Sequence, residues 1–222
     1  MLKALRAGLV VSCQALEDEP LHGSEHMAAM AVAAKQGGAV GIRANGYEDI
    51  QAIKKRVNLP VIGILKKEYP GFKAFITPTK ADAKLIADAG ADIIAIDATN
   101  ETRPESLEAL IQYIKKDLGK KVMADVATFE EGLQAEKFGC DMVGTTLSGY
   151  TEATKHRPRP DFELMKDLVG KLNIPIVAEG NIELPEQAKK AIDLGVAFVV
   201  VGSAITRPQL ITKKFTEGMK SN

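Results

Sequence analysis

The chain has 222 residues, room for one generous domain or at most two small ones. Its 29 Lys and Arg balance its 29 Asp and Glu, so no basic excess marks nucleic acid or an anionic membrane as partner; any anion must be held by a local pocket. With 45% hydrophobic residues, 5% aromatics and no Trp, the composition is that of a folded globular protein, without the stacking surfaces of a single-strand nucleic-acid binder.

The opening MLKALRAGLVVS is apolar but runs straight into Gln14, Glu17 and Asp18 without a small-residue cleavage site, which argues against a signal peptide. No stretch of about 18 apolar residues predicts a membrane span, and the chain is expected to be cytoplasmic. Cys13 and Cys140 each sit inside an apolar run and read as buried small hydrophobes, too few for a disulfide framework.

Short β-branched runs recur from end to end: GLVVS (8–12), AVGIRA (39–44), PVIGIL (60–65), DIIAID (92–97), KVMADV (121–126), DMVGTT (141–146), PIVAEG (175–180) and FVVVGS (198–203). Most are separated by stretches of helical periodicity, among them SEHMAAMAVAAKQ, KADAKLIADA, SLEALIQYIKKDL and LPEQAKKAIDL. Strands alternating with amphipathic helices predict a parallel α/β sheet, covered on both faces. Eight such units fit a closed (β/α)8 TIM barrel spanning 1–222 as a single domain. A doubly wound sheet more often has fewer strands and a G-x-G-x-x-G turn after the first, whereas here the first strand leads into Gln14-Ala15-Leu16.

A weak internal repeat supports the barrel. Helix, glycine and strand recur as AKQGGAVGIRAN, ADAGADIIAIDAT, EKFGCDMVGTTLSG and LDLGVAFVVVGSAIT, with the glycine read as a left-handed helix cap. Interleaved strands are introduced differently, as NLPVIGILK, GKKVMADVAT and NIPIVAEGN.

Barrel active sites lie at the carboxyl ends of the strands. Those positions hold a polar set: Gln14, Arg43, Lys66, Asp97, Asp125, Thr145, Thr146, Glu179, Gly202 and Ser203. The loops after strands seven and eight, Gly180-Asn181 and Gly202-Ser203 followed by Arg207, predict a phosphate site: small residues allow close backbone approach, a following helix offers free N–H groups, and Arg207 offers a fork of donors. Arg43 is a second anion-binding candidate. Lys66, ending an apolar strand, is expected to be desolvated and so available as a neutral amine. Glu179 is its acid/base partner from across the barrel. Asp97 and Asp125 are candidates to orient hydroxyls or tune Lys66, with a structural role the alternative for each. His22 and His26 stand four apart near the start of the first long helix, but no convincing further ligands exist, so no metal site is predicted.

Together, VSCQALEDEPLH, GGAVGIRAN, PVIGILKKEY, ITPT, IIAIDAT, MADVAT, GTTLSGYT, VAEGNI and VVVGSAITRP resemble the N-acetylmannosamine-6-phosphate 2-epimerase family of bacterial sialic-acid degradation, in order and over essentially the whole chain. The resemblance implies a phosphate-binding (β/α)8 barrel that interconverts N-acetyl-D-mannosamine 6-phosphate and N-acetyl-D-glucosamine 6-phosphate, with no metal or organic cofactor. It implies Lys66 and Glu179 as the catalytic acid/base groups, Gln14, Arg43 and Asp125 lining the sugar site with Thr146 beside them, and Gly202, Ser203 and Arg207 receiving the phosphate. It also implies a homodimer, to which the apolar C-terminal segment LITKKFTEGM is suited. Two other readings stay open at this stage: an aldolase or lyase using Lys66 as a Schiff base, and a phosphosugar-sensing barrel without turnover.

Overall fold

The computed structural model describes residues 2–220. A short helix, α1 (Leu2–Leu5), precedes a regular alternation: β1 (Leu9–Cys13), α2 (Ser24–Gln36), β2 (Gly41–Asn45), α3 (Tyr47–Arg56), β3 (Val61–Ile64), α4 (Lys80–Asp88), β4 (Ile93–Asp97) and α5 (Leu107–Lys116). It continues with β5 (Lys121–Asp125), α6 (Phe129–Lys137), β6 (Met142–Gly144), α7 (Phe162–Lys171), β7 (Ile176–Ala178), α8 (Pro185–Asp193) and β8 (Phe198–Val201). A four-residue α9 (Ser203–Thr206) and α10 (Pro208–Gly218) follow. The eight strands form a closed parallel barrel in sequence order, β8 returning to β1 through Leu9↔Val199, Val10↔Val200 and Val11↔Val201.

Strand side chains alternate between two apolar layers. Val10, Ile62, Ile93, Met123, Val177 and Phe198 fill the barrel interior, and Leu5 of α1 joins this cluster as a plug the sequence did not predict. The other parity, including Val11, Ile42, Ile94, Val122 and Val143, packs against Met27, Ile50, Ile86, Leu110 and Leu168 of the helices. Continuing the inward parity beyond each strand reaches Gln14, Arg43, Lys66, Asp125, Thr146, Glu179 and Gly202. The same period of two that packs the core therefore brings those polar side chains to one mouth.

The recurring glycine has a single physical cause. Gly38, Gly90, Gly139 and Gly195 all have φ between 90° and 102°. At each, the glycine N–H and the next N–H turn back onto helix carbonyls, as in Gly90 to Ala87 (3.0 Å) and Ala91 to Ile86 (3.2 Å). This left-handed cap closes α2, α4, α6 and α8, and so introduces β2, β4, β6 and β8. Before β3 and β7 a proline, Pro60 or Pro175, sets the entry instead. The fourfold pattern in the sequence is thus the set of four alternate helices that end in this cap, while α5 ends differently, with Gly119 at φ 63°.

Candidate active site

A cavity of about 340 Å³ opens at the carboxyl ends of the strands. Its floor is an ion network centred on Arg43, which is 1% exposed. The two terminal amino groups donate to Asp125 at 2.6 and 3.2 Å, and one also donates to Glu179 at 2.6 Å. Burial works against the guanidinium, but Asp125 and Glu179 outweigh it and hold the group firmly charged. Thr146 donates its hydroxyl to Asp125 at 2.6 Å. The Thr145 hydroxyl fixes the backbone at Glu179, donating to its carbonyl at 2.9 Å.

This arrangement corrects two expectations. Arg43 is not an outward-facing second anion site: its fork is occupied by the chain's own carboxylates. Asp125 is fully buried behind Arg43 and meets the cavity through Arg43 and the Thr146 hydroxyl. Arg43 Nε and Gln14 Oε1 are buried and have no hydrogen-bond partner among the described residues, whereas the Gln14 amide nitrogen donates to Ser12 Oγ at 2.6 Å.

Glu179 stands just beyond β7, its side chain 13% exposed. Burial raises its pKa to about 7, Asp125 adding to the rise while Arg43, Thr146 and Lys66 oppose it. Lys66 stands two residues past β3, across the barrel. Its main chain is held by one antiparallel bridge to Ile76 and by a 2.8 Å bond to Asn45 Oδ1. The side chain is exposed to the open mouth, not sealed in apolar surroundings as the sequence suggested. Protein crowding in the concave mouth still lowers its pKa, followed by the charges of Arg43 and Arg207, against the pull of Glu179 and Asp125. Both groups are therefore displaced toward neutrality, from opposite directions. Lys67 points away and contacts Asp82 and the Tyr69 ring, as strand alternation requires.

Asp97 shares the inward parity but does not reach the cavity. The β3–α4 loop wedges between the strand ends, Phe75 N–H donating to Asp97 Oδ2 (3.3 Å) and Asp97 N–H to the Ile76 carbonyl (2.8 Å). Thr99 and Arg103 complete its shell, so Asp97 is a structural carboxylate. His22 lies in the turn before α2 and is exposed, while His26 lies within the helix, so the two do not share a helical face. Among the described residues no cluster of three His, Cys, Asp or Glu side chains could hold a metal. Burial pushes both thiols up to about 12, so Cys13 and Cys140 behave as the apolar residues they were read to be.

The two glycine-containing loops lie side by side on the cavity wall. Gly180 has φ 116°, a left-handed conformation suited to glycine, and Asn181 follows at φ 53°. The Asn181 side-chain amide donates to the Tyr150 hydroxyl at 2.9 Å. Gly202 lies against β1, where a Cβ would make an ordinary contact 3.4 Å from Ser12 Cβ. Ser203 opens α9, and Arg207 reaches back with one amino group 3.5 Å from Ser203 Oγ. Arg207 is not a free fork, however: its Nε lies 2.9 Å from Glu19. Sequence reasoning missed Glu19, Asn45 and Tyr150. The segments quoted above contain all three, but no strand-end rule selects them.

Comparison with known proteins gives the family. Residues 27–221 match the family model described as "Putative N-acetylmannosamine-6-phosphate epimerase". Relatives named "Putative N-acetylmannosamine-6-phosphate 2-epimerase" occur in Caldanaerobacter subterraneus subsp. tengcongensis, 53% identical over 99% of this chain and 94% of the relative, and in Clostridioides difficile, 52% identical over the full length of both. The solved structure of the N-acetylmannosamine-6-phosphate 2-epimerase from Clostridium perfringens superposes with a TM-score of 0.96 at 49% identity, covering 99% of this chain and 96% of that one. A thiamine phosphate pyrophosphorylase from Pyrococcus furiosus, at 19% identity and a TM-score of 0.63, shares the fold alone. The chain belongs to the N-acetylmannosamine-6-phosphate epimerase family.

Proposed function

We propose that the protein is an isomerase that interconverts N-acetyl-D-mannosamine 6-phosphate and N-acetyl-D-glucosamine 6-phosphate by removing and returning the proton at C2 of the open-chain sugar. The observation that carries this reading is the opposition of Lys66 and Glu179. They rise from β3 and β7, half the barrel apart, and line one cavity. Inverting a carbon needs a proton taken from one face and delivered to the other, which two opposed groups displaced toward neutrality can do. In the open-chain sugar the aldehyde at C1 turns the C2 carbanion into an enolate, whose oxygen needs cationic or hydrogen-bonding support.

The remaining residues fit this chemistry. Gln14 lines the cavity, its buried Oε1 an acceptor without a partner among the described residues, with Thr146 on the adjoining wall. Arg43 and Asp125 hold Glu179 in place. Gly180, the main chain at Asn181, Gly202, Ser203 and Arg207 form the phosphate grip, so binding at one end of the sugar aligns C2 at the other. We also infer a homodimer: α10 buries none of its side chains, Phe215 and Met219 are 70% and 81% exposed, and an apolar groove along Leu9, Val11, Met30, Ala33 and Ile205 has the chemistry to receive a second copy's α10. No helix is long and apolar enough to cross a membrane. We place the enzyme in the cytoplasm, in sialic-acid degradation, where sugar phosphates are retained and two buried thiols stay reduced.

The test is incubation with N-acetylmannosamine 6-phosphate in D2O with EDTA, followed by proton NMR at C2. Conversion to the gluco epimer with deuterium at C2 is expected. Binding with neither conversion nor exchange refutes the reading and leaves a sensing barrel; borohydride trapping of substrate on Lys66 identifies a Schiff-base enzyme instead.

A further inference from the structure

We propose that Glu19 is a positioning residue of the phosphate grip, holding Arg207 so that the ends of its guanidinium are left for the ligand. The inference rests on the reading of Arg207 as a phosphate contact. Glu19 lies in the β1–α2 loop, six residues past the end of β1, and its side chain is 15% exposed. The carboxylate is first fixed by its own turn, Oε2 accepting from the Leu16 N–H at 2.7 Å. The second oxygen then receives two side chains from the other end of the chain: Arg207 Nε at 2.9 Å and Gln209 Nε2 at 3.0 Å.

The mode of contact separates this pair from an ordinary structural staple. Arg43 gives both terminal amino groups to Asp125 and one of them also to Glu179, so its fork is taken up by the chain's own carboxylates. Arg207 meets Glu19 at Nε, on the flank of the group. One terminal amino group then stands 3.5 Å from Ser203 Oγ, and the residue lines the cavity beside Gly202 and Ser203. A flexible arginine loses side-chain entropy when it closes on a phosphate; one already held by its flank loses less. Glu19 thus acts through Arg207 and does not touch the reacting carbon.

The test is a double-mutant cycle at Glu19 and Arg207, reading kcat, the KM of N-acetylmannosamine 6-phosphate and the Ki of inorganic phosphate as a competitive inhibitor. Glu19→Ala is expected to raise KM and Ki together by about tenfold, the loss of one charge-assisted contact, with kcat within about twofold. In an Arg207→Ala background the same change is expected to add almost nothing, because nothing remains to be positioned. Glu19→Gln, which keeps the shape of the side chain, carries the same test if the alanine variant does not fold, with a smaller rise. Unchanged KM and Ki in both Glu19 variants, or a Glu19→Ala effect that adds in full to Arg207→Ala, overturns the proposal while leaving the phosphate reading intact. An Arg207→Ala variant with unchanged KM overturns the phosphate reading, and Glu19 falls with it.

Discussion

Replacing Arg43 by methionine, which keeps much of the length and removes the charge, tests the ion network from which the site is built. Asp125 is fully buried and Glu179 is 13% exposed, and both lean on this one guanidinium. Removing one partner of a buried ion pair costs about 3–5 kcal/mol, because the remaining charge is left without compensation. That is a large share of a total stability of roughly 5–15 kcal/mol. For a chain of this size it corresponds to a fall in Tm of about 6–20 °C, at roughly 2–4 °C per kcal/mol. The loss should shrink at low pH, since a protonated carboxyl needs no cation. The assay is calorimetry or circular dichroism melting of both proteins between pH 5 and 8. A Tm within about 2 °C of wild type at pH 8 refutes the reasoning. So does a deficit that grows on acidification.

Lys66→Ala is expected to abolish turnover while leaving phosphosugar affinity nearly unchanged, as read by kinetics and calorimetric titration; activity within tenfold of wild type removes Lys66 from the acid/base pair. Arg207→Ala should mainly raise KM, and an unchanged KM moves the phosphate elsewhere. The pH profile of kcat/KM should be bell-shaped, with an acid limb near the Glu179 value of about 7 and an alkaline limb below the ordinary lysine value of 10.5. Because folding raises the Glu179 pKa from 4.5 to about 7, the native state holds a proton that the unfolded chain releases in that window. Stability should therefore fall as pH rises from 4.5 to about 7, and Glu179→Gln should flatten that part of the curve. Gly63→Ala should destabilise by about 1–3 kcal/mol through overpacking, since its Cβ would fall 2.5 Å from Ile86 and 2.7 Å from Ala91; a neutral effect in urea melts shows that α4 can retreat.

Much of this protein was determined by local sequence alone. The strand runs and the glycine caps at Gly38, Gly90, Gly139 and Gly195 depend on neighbouring residues only, and counting them was enough for an eight-stranded barrel. The side-chain period of two then carried Arg43, Lys66, Asp125 and Glu179 to one mouth, because continuing an inward strand parity needs no knowledge of the partner strand. Tertiary structure decided what those residues do to one another. Only the closed barrel puts Asp125 and Glu179 on one arginine and so turns a nominal anion site into a buried network. Only the β3–α4 wedge takes Asp97 out of the cavity although its parity matches that of Asp125. The contact between Glu19 and Arg207 spans nearly the whole chain, and nothing local to either residue predicts it. Electrostatic coupling depends on distance through space, and chain order fixes that distance only within one element.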